Sequence, residues 1–223
     1  MVDGKKKVNC LIMKIGLVLC YGVYESTNDH YRGYLDRVLA FIKEGEFDQV
    51  IIAGGYSNKD LEISESKAVY DYYLSIDESL KDKLILEESS LTTEENIKFV
   101  GHLLKEKNSE VSELVVFCDS IRMIKVYMLS MFYFAVLCGF EYDEEKIYLE
   151  LTDQCLNKQP NLLETTVLQY ENILIQGMGL SRSINEVSLQ ISSTLLEVGS
   201  LRYSSISKTI IEWRKNLWGV KRD

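Results

Sequence analysis

From residue 14 to about residue 151, short apolar runs alternate with longer segments whose apolar residues recur at helical spacing. This alternation builds strand-helix-strand units around a parallel sheet, because each helix must cross back over the sheet before the next strand can pair. The apolar runs are 14–20, 49–53, 83–86, 113–118 and 146–151. Between the first two, Tyr31, Tyr34, Leu35, Val38, Leu39 and Ile42 fall on one helical face. Helices are also predicted over about 62–75, with Ile63, Val69, Tyr70, Tyr73 and Leu74, and over about 93–107, with Ile97, Val100, Leu103 and Leu104. A fourth, over about 121–138, is apolar nearly all round after Lys125, so it should be covered on more than one side. Right-handed crossovers then give an open, doubly wound sheet of about five mostly parallel strands.

Beyond Thr152 the character changes. A loop-like stretch contains Pro160, the only proline, and helical periodicity follows at Leu163, Thr166, Val167, Tyr170 and Leu174, ending near Gly177 and Gly179. Two more helices are predicted with Ile184, Val187, Ile191 and Leu195, and with Ile206, Ile210, Trp213 and Leu217. The chain thus divides into a sheet domain over 1–152 and a helical extension over 153–223 packed on it.

Charge limits the partners. The formal net charge is -9, which excludes a chain whose main task is coating nucleic acid, since that needs clustered cations. Residues 201–223 carry six Lys/Arg against two acids, so this tail is +4 and the rest is -13. The five cysteines are widely spaced, with no CxxC pair and no Cys/His cluster, which favours a reducing, cytoplasmic setting. The basic, apolar start reads as a leader into the first strand. The uncharged run 126–140 is too short for a spanning helix, so no transmembrane segment is expected. Oligomeric state is open, a homo-oligomer included.

Ligands of an open parallel sheet bind outside the carboxyl ends of its strands. Four such places stand out: Cys20 to Tyr24, Gly54 to Ser57, Glu87 to Asn96, and Asp119 to Lys125. Gly54-Gly55 permits close backbone approach to an anion, although on its own a plain tight turn is the better account of the pair. Thr92 and Glu95 fit a capping box, with the glutamate reaching back to the cap amide. That leaves Thr93, Asn96 and Glu87 beside a helix N-terminus that can hold a polar or anionic group. Arg122 and Lys125 would share one helical face at this edge, and cations there oppose the helix dipole, which favours recognition of phosphate or carboxylate. His30 and His102 read as structural, and there is no GxSxG elbow or HExxH motif to support a nucleophilic or zinc mechanism.

These places together resemble the YdcF-like, SanA-like family of bacterial proteins, whose domain has no assigned function. The family pattern is an arginine in the first helix, a strand ending in Gly-Gly, a Ser-Glu entering the next helix, then E-x-x-S-x-x-T-x-E-N. Here these positions are Arg37, Gly54-Gly55, Ser64-Glu65, and Glu87, Ser90, Thr93, Glu95 and Asn96 in register. The resemblance covers about 14–151. It departs at the fourth place, where relatives show a histidine and, three residues later, an arginine; this chain has Arg122 and Lys125 after Cys118-Asp119. An arginine that stays protonated cannot act as a base there.

The resemblance implies a three-layer Rossmann-like α/β sandwich with a polar pocket for a nucleotide-like, S-adenosylmethionine-like or other anionic small molecule. The expected ligand contacts are Arg37, Gly54, Gly55, Glu65, Glu87, Ser90, Thr93, Glu95, Asn96, Asp119, Arg122 and Lys125, with glutamates that meet ligand hydroxyl or amino groups or a divalent ion. The alternative is a non-catalytic binding module in envelope-related physiology.

Overall fold

The alternating pattern becomes eleven regular helices and strands in a computed structural model that describes residues 11–107, 109–158 and 165–179, with the single positions Val198 and Glu212. In chain order these are β1 (Leu11–Leu19), α1 (Asp29–Glu44), β2 (Gln49–Ala53), α2 (Glu65–Ile76), β3 (Leu84–Glu87), α3 (Thr93–Glu106), β4 (Ser109–Cys118), α4 (Met123–Phe134), α5 (Glu144–Lys158), β5 (Thr165–Tyr170) and β6 (Ile173–Met178). The six strands form one sheet in the order β3-β2-β1-β4-β6-β5. All neighbours are parallel except the β5–β6 hairpin. The architecture is α/β, with a mostly parallel sheet flanked by helices, as the alternation predicts.

Period-two alternation along the strands divides the core between two faces. Ile15, Leu17 and Leu19 of β1 face one cluster, which Ile97, Val100 and Leu104 of α3 and most of α4 complete. Val18 and Cys20 face the other, built on Tyr31, Tyr34, Leu35, Val38, Leu39 and Ile42 of α1 and on Val69 and Tyr73 of α2. The six apolar positions of α1 are all buried, and Asn28 caps that helix by accepting from the Tyr31 amide. α1 and α2 thus cover one face, whereas α3 crosses to the other. Strand order consequently reverses between β1 and β4, and the strand ends part there to open a crevice. The Tyr34 hydroxyl spans this junction from below, 3.0 Å from the Leu19 carbonyl and 3.1 Å from that of Phe117.

Two expectations fail after residue 140. Residues 146–151 are not a strand but the first half of α5, where Ile147 and Leu151 are buried one turn apart while Tyr148 and Leu149 face outward. The alternation of Ile147, Leu149 and Leu151 fits a strand locally, but the i, i+4 pair is what packs against the core. The helix predicted over about 163–174 is instead the β5–β6 hairpin, with Leu168, Tyr170, Ile173 and Ile175 buried and a tight turn in which Glu171 has φ 50°. Asn172 anchors that turn by donating to the Val111 and Ser112 carbonyls of β4. The sheet accordingly has six strands rather than about five, and it is completed by residues beyond the expected boundary at 152. The Gln154 carboxamide of α5 accepts from the Gln169 amide, which protects the outer strand β5. The helices expected around 184–217 lie outside the described residues. Among the described residues no helix is long and apolar enough to cross a membrane.

Candidate functional site

The carboxyl ends of β1 to β4 surround a cleft of about 430 Å³. Cys20, Tyr21 and Gly22 follow β1; Gly54, Gly55 and Ser57 follow β2; Ser90 to Thr93 and Asn96 form the turn after β3 and the start of α3; Arg122 comes from the turn after β4, and Glu65 opens α2. A second hollow of about 390 Å³ adjoins it through Gly22 and Ser57 and carries Glu25, Lys59 and Asp60.

The two glycines build this cleft without offering it hydrogen-bond donors. The Gly54 amide donates to the Glu87 carbonyl at 3.0 Å, and the Gly55 amide to that of Ser90 at 3.1 Å. Their carbonyls accept the Ser66 and Glu65 amides, which ties the start of α2 to the end of β2. A Cβ on Gly55 would meet the Ser90 carbonyl oxygen at 2.2 Å, and one on Gly54 would meet Cys20 and Glu65 at 2.7 and 2.8 Å. Glycine is required here because two backbone segments touch, and the expected backbone cradle for an anion is not formed. Ser64 caps α2 by accepting from the Lys67 amide and donates to Glu88 at 2.7 Å.

At α3 the capping box is present in altered form. Thr92 accepts from the Glu95 amide, while Glu95 Oε2 accepts from the Leu91 amide rather than from the cap itself. This fixes Glu95 as a structural cap and leaves Thr93 and Asn96 on the cleft side, both buried. Their side chains have no hydrogen-bond partner among the described residues. The Ser90 hydroxyl, 1% exposed, likewise has none, nor does Glu87 Oε2 behind it. The other Glu87 oxygen accepts from the Ser89 and Ser90 amides. Burial pushes the Glu87 carboxyl above its usual range, against the pull of the nearby Ser90 hydroxyl and those two amides. Glu87 and Glu95 support the cleft from behind and do not line it.

The cations are engaged elsewhere. Arg122, in a short 3-10 turn (Ser120–Arg122) ahead of α4, is paired through Nε with buried Asp119 and donates to the Cys20 and Leu19 carbonyls at 3.2 and 3.5 Å. Its guanidinium also packs over the Tyr21 ring. Burial opposes its charge, but Asp119 more than restores it, so Arg122 is held protonated. Arg37 turns to the end of β6, donating to the Met178 and Gly179 carbonyls at 2.7 and 2.6 Å, and is not a lining residue. Lys125 is 1% exposed inside α4 and also lies off the cleft. Arg122 and Lys125 do not share an exposed helical face, because the 3-10 turn rotates Arg122 away before α4 begins.

Of the twelve expected contacts, the structure brings Gly54, Gly55, Glu65, Ser90, Thr93, Asn96 and Arg122 together on the cleft wall and leaves Arg37, Glu87, Glu95, Asp119 and Lys125 off it. Cys20, Tyr21, Gly22, Ser57, Leu91 and Thr92 complete the wall. Their signal in the sequence is position alone, directly after a strand.

Burial, then the charge of Glu65, pushes the Cys20 thiol well above its usual range, which disfavours the thiolate. No group of three or more His, Cys, Asp or Glu able to hold a metal ion occurs among the described residues. Asp119 offsets the charge of Arg122, and Glu65 lines the same wall.

No protein-family model matches this chain, and no curated protein matches it.

Proposed function

We propose that the chain binds a small, polar, nucleoside-like or S-adenosylmethionine-like molecule in the cleft over the carboxyl ends of β1 to β4, as a YdcF-like, SanA-like protein. One observation carries this reading: Ser90, Thr93, Asn96 and Glu65 line one cleft at the carboxyl edge of the sheet, and the buried Ser90 hydroxyl has no hydrogen-bond partner among the described residues. Buried polar groups are ordinarily satisfied, and a ligand supplies what the protein leaves open. Free, buried cysteines at Cys20 and Cys118 fit a reducing, cytoplasmic setting.

The test is thermal unfolding with S-adenosylmethionine, S-adenosylhomocysteine, adenosine and adenosine monophosphate. A ligand at a hundred times its Kd stabilises the folded state by about 2.7 kcal/mol. Asn96→Ala should abolish that rise while leaving the unliganded melting temperature close to wild type. An undiminished rise in the variant would remove Asn96 from the site.

A second reading, a binding module without chemistry, is favoured by the Asp119–Arg122 pair. The residue at the family's histidine position is a buried cation engaged with the protein, so it has no proton to exchange near neutral pH.

A further inference from the structure

The cleft over the carboxyl ends of the strands continues, on the side of the loops after β1 and β2, into the hollow of about 390 Å³. Gly22 and Ser57 line both spaces. Gly22 has φ 85°, which favours glycine, and a Cβ built there meets nothing within 4 Å, so no side chain stands in the opening at that point. Both walls of the hollow are anchored. In the first loop the Tyr24 ring packs against Tyr31 and Tyr72, with centroids 5.8 and 4.5 Å away. In the second, Asn58 ties a turn, accepting from the Asp60 amide through its carboxamide at 2.9 Å and from the Leu61 amide through its carbonyl at 3.2 Å. The lining combines apolar Val23 with polar Ser57, Asn58 and Lys59.

We infer that the cleft and the hollow form one elongated site for a ligand of two parts, one held against Ser90, Thr93 and Asn96 and the other reaching past Gly22 between the two loops. This rests on the cleft being the binding site of the proposed function. Small-molecule sites occupy about 300–1,000 Å³. The cleft, about 430 Å³, falls near the lower end of that range, and the hollow almost doubles it. A compact nucleoside uses the first space alone, whereas a nucleoside with a polar arm fills both and loses more of its surface to the protein. Because the loops are already tied down, they need little further ordering when the arm enters.

Calorimetric titration of the full chain with methylthioadenosine and S-adenosylhomocysteine tests this, since the two share the nucleoside and its thioether and differ in the amino-acid arm. S-adenosylhomocysteine should bind about 10-fold tighter, the return on one or two added hydrogen bonds. Val23 lines the hollow and not the cleft. Val23→Phe, which fills the hollow, should therefore bring the ratio toward one with methylthioadenosine binding unchanged, whereas Val23→Ala, which leaves the space open, should keep the preference. Equal affinities in the wild type overturn the two-part site and leave the cleft as the binding site. A ratio that survives Val23→Phe, or that is lost equally in Val23→Ala, overturns the placement of the arm in the hollow. Binding of neither compound overturns both the two-part site and the proposed ligand class.

Discussion

Asp119 holds Arg122 twice, accepting from its Nε through one carboxylate oxygen and from its backbone amide at 3.2 Å through the other. Both side chains are buried, and Arg122 also reaches the Cys20 and Leu19 carbonyls, so one acid-base pair staples the ends of β4 and β1 at the point where strand order reverses. Asp119→Ala strands a buried guanidinium and should cost about 3–5 kcal/mol in denaturant unfolding. Adding Arg122→Met removes the stranded charge and should recover a measurable part of that loss; no recovery would show that the pair is not coupled.

Gly55→Ala should destabilise the fold by about 1–3 kcal/mol, since the new methyl would lie 2.2 Å from the Ser90 carbonyl and the turn after β3 must move. The same shift displaces Ser90 from the cleft wall, so ligand-induced stabilisation should fall with it. Wild-type stability in this variant would refute the close contact.

The Glu87 carboxyl contributes with a definite sign to pH dependence. Its folded-state pKa is raised by burial, so between the unfolded value, about 4.3, and the raised value the folded chain holds the extra proton. Stability from this group therefore falls as pH rises through that window. Glu87→Gln should flatten the curve there, giving a variant that gains on wild type as pH increases. Urea unfolding across pH 4 to 7 checks this, and a constant difference between the two proteins would contradict it.

Thiol labelling should follow burial. Cys155 is half-buried, and Cys138 is pushed by burial up to about 12, while Cys20 and Cys118 are buried. Among the described cysteines, Cys155 should react first with a thiol reagent under native conditions, and Cys20 and Cys118 only after unfolding. Peptide mapping of the labelled protein gives the order. Early modification of Cys20 would mean that the cleft floor opens in solution.

The sites of the cleft were easier to read from sequence than their roles. Gly54-Gly55 and the turn from Glu87 to Asn96 stand directly after strands, and they do meet at the carboxyl edge. Whether an amide there is available is decided by a partner far along the chain, as when the Ser90 carbonyl closes the Gly55 amide. The direction taken by Arg37 depends likewise on the end of β6, 141 residues away.

Local pattern alone determined β1 to β4 and α1 to α4, because each of these segments is either a short apolar run or an apolar series at helical spacing and so commits to one kind of element. Tertiary structure decided the rest. The segment around Ile147, Leu149 and Leu151 satisfies both a period of two and an i, i+4 pair, and residues 165–178 carry apolar side chains that fit either a helix or a hairpin. In both cases the conformation present is the one that buries Ile147 and Leu151 on α5 and Leu168, Ile173 and Ile175 on the sheet. Burial of apolar surface is a property of the assembled faces and not of the segment, which is why it could overrule the local signal.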